Sequence, residues 1–315
     1  MTARTQETAE RRSATSSARR PRGPAAVAAL AVAAVQAARP RQWPKNLLVF
    51  AAPLAGASLG RHNGFVYALA AFVAFTAASS AVYLINDVVD VERDRLHPTK
   101  RLRPIASGRL PQRAAIVLAV AGFVLALLIS LLISEPLLAL VIGCYAALSL
   151  LYSSGLKHVP WLELFLVANG FVMRALGGAV ATHVPPSGWF LTVCSFGALM
   201  VAAGKRYSEL AALGPRAAAH RPVMRYYSAP QLRAFQRAAI GILLAAYLAW
   251  ALSGQTEWLR GWHVASMVPL AGALIRFDWL TARADGRAVE DLISRDKLMV
   301  GCELAWLGLF LTGLV

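Results

Sequence analysis

Asn86-Asp87-Val88-Val89-Asp90-Val91-Glu92-Arg93-Asp94 follows without a break on an apolar run from Phe65 to Ile85. A run of that length crosses a bilayer as a helix, which takes about 20 residues. The acidic stretch therefore lies where a membrane helix meets water. Asp87, Asp90 and Asp94 are three and seven residues apart. A continuous helix at about 100° per residue brings them within about 60° of one another. Three carboxylates on one face repel each other unless a cation lies among them. A hard divalent ion such as Mg²⁺ takes oxygen ligands of this kind and commonly shares them with phosphates. The plainer alternative is a solvated acidic helix end. The next residues, His97-Pro98-Thr99-Lys100-Arg101-Leu102-Arg103-Pro104, count against it. Carboxylates suited to a metal stand beside cations suited to an anion.

The 315 residues are 57% hydrophobic and only 15% charged. With several further apolar runs near bilayer length, this composition predicts an all-α, multi-pass membrane helical bundle. The formal net charge is +16. Its positive residues lie between apolar runs, where they read as topology signals and as anchors for anionic membrane lipids, not as a nucleic-acid surface. Cys144, Cys194 and Cys302 each fall inside an apolar run and are expected to be small core residues. The six histidines include no i,i+4 pair, which disfavours zinc. No phosphate-binding Walker loop, dinucleotide glycine fingerprint or serine-nucleophile elbow is present, so ATP-driven transport has no support.

Residues 1–38 read as a separate arm. Residues 1–23 are rich in Arg, Ser and Thr and are expected to be disordered. The Ala-Val run over residues 25–38 superficially matches a signal peptide, with Arg11-Arg12 or Arg19-Arg20 as a twin-arginine pair. It is only weakly apolar and another basic segment follows it, so a short helix on the inner membrane surface fits better. Residues 39–315 read as one transmembrane domain of about nine helices. The expected spans are 46–60, 65–86, 114–133, 136–152, 162–181, 189–204, 235–253, 260–277 and 298–315. The first is short and broken by Pro53. Lys and Arg number nine in the arm up to Lys45, seven after the second span, seven from Lys205 to Arg237 around the end of the sixth and five from Arg276 to Lys297 around the end of the eighth. The other side carries only Arg61 and Arg260. By the positive-inside rule the N-terminus and the acidic motif face the cytoplasm.

The remaining unusual polar groups fall on that same side. Lys45-Asn46 stands at the mouth of the first span, beside Trp43. Interfacial anchoring explains the tryptophan, whereas Asn46 needs a partner. Tyr152 precedes a helix-breaking Gly155, beyond which Lys157 is placed to curl back, although a topological lysine is equally consistent. Asn169 and Arg174 lie well inside the fifth span. An arginine there must face a cavity or a partner, with a carboxylate such as Glu163 as the structural alternative. Lys205-Arg206-Tyr207-Ser208-Glu209 ends the sixth span. Lys205 and Glu209 are spaced for a helical ion pair, yet adjacent cations at a membrane mouth also suit a phosphate. Asp285, Glu290, Asp291 and Asp296 belong to a loop of mixed sign. Asp296 is its best functional candidate.

From about Arg39 to the C-terminus the chain resembles the UbiA-type intramembrane prenyltransferase superfamily. The match is carried by Asn86 through Asp94 after the second span and by polar loops after the fourth, sixth and eighth. Within the superfamily it is most similar to the decaprenyl-phosphate phosphoribosyltransferase branch. That likeness rests on Arg39-Pro-Arg-Gln-Trp-Pro-Lys-Asn-Leu-Leu-Val-Phe50, on the motif running into His97 through Gly108, on Leu151-Tyr-Ser153 with Lys157, and on Gly204-Lys-Arg-Tyr-Ser-Glu209. Typical members of the superfamily carry a second aspartate-rich motif after the sixth span. Here that place is cationic, which suits two phosphate-bearing substrates better than one prenyl diphosphate.

The resemblance implies Mg²⁺-dependent transfer of a 5-phosphoribosyl group from phosphoribosyl pyrophosphate to a polyprenyl (decaprenyl) phosphate, giving a cell-wall arabinan precursor. It implies Asp87, Asp90 and Asp94 as catalytic metal ligands. Lys45, Lys100, Arg101, Arg103, Lys157, Lys205 and Arg206 become candidates for the phosphates, with Asn86, Tyr152, Asn169, Arg174 and Glu209 as further substrate contacts. A homo-oligomer is compatible with this reading. Two alternatives stay open: a prenyl-diphosphate transferase acting on an aromatic or haem-like acceptor, and a transporter or anion channel built around Arg174.

Overall fold

A computed structural model of the chain describes residues 23–61, 63–133, 135–253, 256–283 and 295–314. The first 22 residues of the arm, with both arginine pairs, lie outside them, as do Asp285, Glu290 and Asp291. Every regular element among the described residues is helical. The longer helices are α1 (Pro24–Ala37), α2 (Gly64–Val89), the short α3 (Val91–Leu96), α4 (Gln112–Leu132) and α5 (Pro136–Ser154). They continue with α6 (Leu162–Ala181), α7 (Gly188–Leu213), α8 (Ala229–Leu252), α9 (Glu257–Ala282) and α10 (Lys297–Thr312).

Seven of these, α2 and α4 to α9, are long and apolar enough to cross a membrane. They are the second to eighth expected spans, with ends shifted by up to nine residues, the largest shift being at the end of α7. The first expected span is different. Residues Pro40–Phe50 form a 3₁₀ run with Pro44 inside it, and Ala51–Ala55 add a single α-turn. Pro44 and Pro53 each lack an N–H and clash with the preceding turn, so a regular α-helix does not propagate here. The ninth, α10, has 16 residues. Along α4, Val117 (66% exposed), Val120, Val124, Leu128, Leu131 and Leu132 (81%) all point outward. Apolar side chains stay outside only where the surroundings are also apolar. Cys144 is exposed, and Cys194 and Cys302 are half-buried. None is the core residue that its apolar surroundings in sequence suggested.

The chain divides into two compact units. One comprises the described residues up to Pro40 with Tyr83–Leu118, and the other comprises Arg41–Val82 with Ala119 onward. In the first, Val91, Ile105 and Leu110 are buried, and Gly108 takes a left-handed φ of 75° that turns the chain toward α4. In the second, Val49, Phe75, Leu138, Tyr145 and Ala181 share one core. That core closes because α6 carries Gly177-Gly178. A Cβ on Gly178 would lie 1.7 Å from the Val49 carbonyl oxygen, and one on Gly177 would lie 2.1 Å from the Phe75 ring.

Candidate active site

The acidic motif belongs to the first unit. Helix α2 ends at Val89, and Asp90 occupies the turn before α3 at φ −88°, ψ 6°. α-Helical hydrogen bonds are nevertheless carried across the turn, from the Asp90 N–H to the Asn86 carbonyl and from the Asp94 N–H to the Asp90 carbonyl, both at 2.9 Å. Asp87 and Asp94 are 4% and 3% exposed. Arg103 Nη1 donates to Asp87 Oδ1 at 3.1 Å and to Asp94 Oδ2 at 2.7 Å. Arg39 Nη2 reaches the same Asp87 oxygen at 2.5 Å, while its guanidinium lies 4.8 Å from the centre of the Tyr83 ring. Asp90 turns instead to Arg93, 3.7 Å away. The repulsion expected of three gathered carboxylates is thus relieved in two ways. One acid leaves the group, and a guanidinium is inserted between the others.

Among the described residues, no three His, Cys, Asp or Glu side chains are gathered closely enough to share a metal. Two carboxylates nevertheless converge on one nitrogen of Arg103, where a shared positive charge sits. Mg²⁺ is usually held by one or two carboxylates together with substrate phosphates, so this donor set fits it. The neighbouring cations are more open. Lys100 and Arg101 are exposed on a 3₁₀ turn, and His97 Nδ1 accepts from the backbone N–H groups of Thr99 and Lys100. Asn86 is half-buried in the last turn of α2.

The second unit holds two separate polar clusters. In one, Asn46 is fully buried and donates to Thr76 Oγ1 at 3.0 Å. Its carbonyl oxygen accepts from Arg174 Nε at 2.7 Å. Arg174 also donates to the Gly170 carbonyl and to Tyr145 Oη, and stacks 4.7 Å from the Tyr145 ring. All these partners are neutral, so among the described residues a cation that is 5% exposed is stabilised by dipoles and rings. The partner that Asn46 needed is therefore Arg174, and Arg174 does not pair with Glu163. Lys45 lies 6.0 Å from the Phe171 ring, which Arg174 also approaches to 6.0 Å. Asn169 is half-buried, and its Oδ1 has no hydrogen-bond partner among the described residues.

The other cluster centres on Glu163, which is fully buried at the start of α6. Arg206 grips it bidentately, Nε to Oε1 at 2.6 Å and Nη2 to Oε2 at 3.0 Å. Arg221 Nη1 donates to Oε2 at 2.7 Å and lies 3.4 Å from Tyr152 Oη. Tyr227 Oη donates to Oε1 at 3.3 Å and accepts from the Trp161 N–H. Burial pushes the Tyr227 phenol up to about 12, so it remains a donor throughout the neutral range. Arg206 also holds Glu209 at 2.8 Å. The helical partner of Glu209 is thus Arg206 at i,i+3, not Lys205. Lys157 and Lys205 are half-buried. Asp296 caps α10 and pairs with Arg276 at 2.7 Å. The Arg276 hydrogen bond holds its carboxyl below the usual range, as suits a structural cap.

Sequence reasoning missed Arg39, Glu163 as a hub, Arg221 and Tyr227. A lone Glu at the start of an apolar run is a usable signal, because a carboxylate there requires partners. Arg221 and Tyr227 lie in a loop whose sequence gives no such hint.

The UbiA prenyltransferase family model matches residues 46–295. The chain belongs to that family. The decaprenyl-phosphate phosphoribosyltransferase of Corynebacterium glutamicum is 40% identical over 276 residues, covering 86% of this chain and 83% of that protein. Its counterpart in Mycobacterium tuberculosis is 40% identical over 279 residues, covering 86% and 91%. A solved UbiA homolog from Archaeoglobus fulgidus bound to GPP and Mg²⁺ superposes with a TM-score of 0.66. It is 16% identical over 89% of this chain and 97% of its own, a likeness of fold. With seven helices able to cross a bilayer, this UbiA member is an integral membrane protein.

Proposed function

We propose that the protein transfers the 5-phosphoribosyl group of phosphoribosyl pyrophosphate to decaprenyl phosphate, releasing pyrophosphate, as a step toward cell-wall arabinan. The observation that carries this is the 40% identity, along 86% of the chain, to proteins named for that transfer. We place the chemistry at the cytoplasmic face of the cell membrane, in a catalytic domain running from Arg39 to the C-terminus. The basic loops after the second and sixth spans support that orientation.

In this reading the ribosyl C1–O bond to pyrophosphate breaks, and a phosphate oxygen of the lipid attacks C1 from the opposite face. The acceptor oxygen is already ionised at neutral pH, so no side chain needs to remove a proton. Asp87 and Asp94 are the residues to hold Mg²⁺, which when bound offsets the charge of the departing pyrophosphate. Asp90, turned to Arg93, is the weakest of the three candidates. Lys100, Arg101 and Arg103 supply cations for the pyrophosphate, and Asn86 a hydrogen bond to ribose or ligand oxygens. Lys45, Asn169 and Arg174 suit a second phosphate, because Arg174 has no charged partner of its own among the described residues. Arg206 is saturated by Glu163 and Glu209, so it acts by holding them. Arg221, one-third exposed, takes over the phosphate role, with Tyr152, Lys157 and Lys205 beside it in function.

Purified full-length chain supplied with Mg²⁺, decaprenyl phosphate and labelled phosphoribosyl pyrophosphate should form labelled lipid. Asp87→Asn and Asp94→Asn should each slow this by about 100-fold or more. Product formed equally by both variants, or in excess EDTA, overturns the site. Prenylation of an acceptor from a prenyl diphosphate, without ribosyl transfer, overturns the function.

A further inference from the structure

Where α8 begins, Ala229, Pro230, Arg233, Ala234 and Arg237 line an open groove of about 420 Å³, closed on its other side by Tyr207 of α7. None of these side chains takes part in the ion pairs centred on Glu163. The groove is built around an under-used cation. The Arg233 guanidinium lies 5.8 Å from the centre of the Tyr207 ring, and its nearest carboxylate oxygen among the described residues, Asp278 Oδ2, is 3.7 Å away, too far for a hydrogen bond. Arg233 Nε is buried and has no hydrogen-bond partner among the described residues. Asp278 is already engaged by two other side chains. Its Oδ2 is taken by Arg237 through Nε at 3.2 Å and Nη2 at 3.1 Å, and its Oδ1 accepts from Gln236 at 3.3 Å. Two guanidiniums thus share one occupied carboxylate, and among the described residues the groove keeps a net positive charge. A buried N–H without an acceptor is unfavourable, and the Arg233 side chain is 35% exposed, so an anion entering the groove would meet the open part of a guanidinium that has no close carboxylate among the described residues.

The direction of the groove identifies the anion. From Arg237 onward α8 is apolar to Leu252, so the two arginines sit where the helix enters the membrane, at headgroup depth. Ala234, Ala238, Ile242 and Ala245 are all exposed. Their spacing of four, four and three residues makes one continuous apolar track along the helix. A soluble phosphate would use the arginines and ignore that track. A phospholipid uses both, with the phosphodiester on Arg233 and Arg237 and an acyl chain along the stripe. We propose that this groove binds the headgroup of an anionic phospholipid of the phosphatidylglycerol type. The site stands apart from the proposed transfer reaction, and its test needs no turnover.

Thermal unfolding of the purified full-length chain checks this with three probes at equal concentration: dioctanoyl phosphatidylglycerol, dioctanoyl phosphatidylcholine and inorganic phosphate. The first should raise Tm by about 3 °C near saturation, and the others should move it by less than about 1 °C. The double variant Arg233→Gln, Arg237→Gln should lose the shift. Ala234→Glu keeps both arginines and sets a carboxylate on the exposed wall, so it should lose the shift too, and it decides the matter if the double variant does not fold. A shift retained in Ala234→Glu, or an equal shift with phosphatidylcholine or inorganic phosphate, overturns the proposal.

Discussion

Asp87, Asp94 and Glu163 carry negative charge almost out of reach of water, and each does so only because an arginine lies against it. The cost of burying a charge is met by a partner at hydrogen-bond distance, and removing one partner leaves the other stranded. Glu163 is the extreme case, fully buried with Arg206 and Arg221 as partners. Glu163→Gln should therefore destabilise the protein by about 3 kcal/mol, because Arg206 would keep its charge with only Glu209 to balance it. Arg221→Gln removes a one-third-exposed group and should leave Tm nearly unchanged, while raising KM for the ribosyl donor about tenfold. Unfolding curves and donor titrations on the two variants separate these roles. Equal loss of stability in both would show that Arg221 is structural. The candidate acids and many of the cations were legible in the sequence, because charge near an apolar run is conspicuous. Which of them neutralise one another was not.

At the scale of the element, the decisive events are interruptions of helix. A turn at Asp90 joins α2 to α3, with helical hydrogen bonds carried across it. Arg103 gathers Asp87 and Asp94, while Asp90 pairs with Arg93. The sequence gives little warning of the turn, since Val89-Asp90-Val91 contains neither Gly nor Pro. Pro44 and Pro53, by contrast, announce that the segment before α2 is no ordinary span. That irregular segment presses on α6 at Gly178, where backbone meets backbone and only a hydrogen side chain fits. Gly178→Ala should cost at least about 2 kcal/mol through overpacking, lowering Tm by several degrees, with Gly143→Ala as a neutral control because a Cβ there meets nothing within 4 Å. An unchanged Tm in Gly178→Ala would mean that the 3₁₀ segment does not hold that contact.

For the whole molecule, the orientation proposed from the basic loops can be read directly. In a background with the three native cysteines replaced, an impermeant maleimide should label Ser253→Cys in intact cells and Ser107→Cys only after permeabilisation. Both serines are exposed, so the reverse pattern would invert the proposed topology. The sequence by itself determined that this is a helical membrane protein, where its seven long spans run to within nine residues at either end, and that its acids and bases gather at the span ends. Those properties follow from hydropathy, length and proline chemistry, which act over neighbouring residues. Only the tertiary structure decided that Asn46 meets Arg174 across 128 residues, and that Glu163 claims Arg206 and Arg221 from 43 and 58 residues away. A buried charge takes the partner that helix packing brings within 3 Å or so, and packing depends on how distant surfaces fit, which no local pattern in the chain encodes.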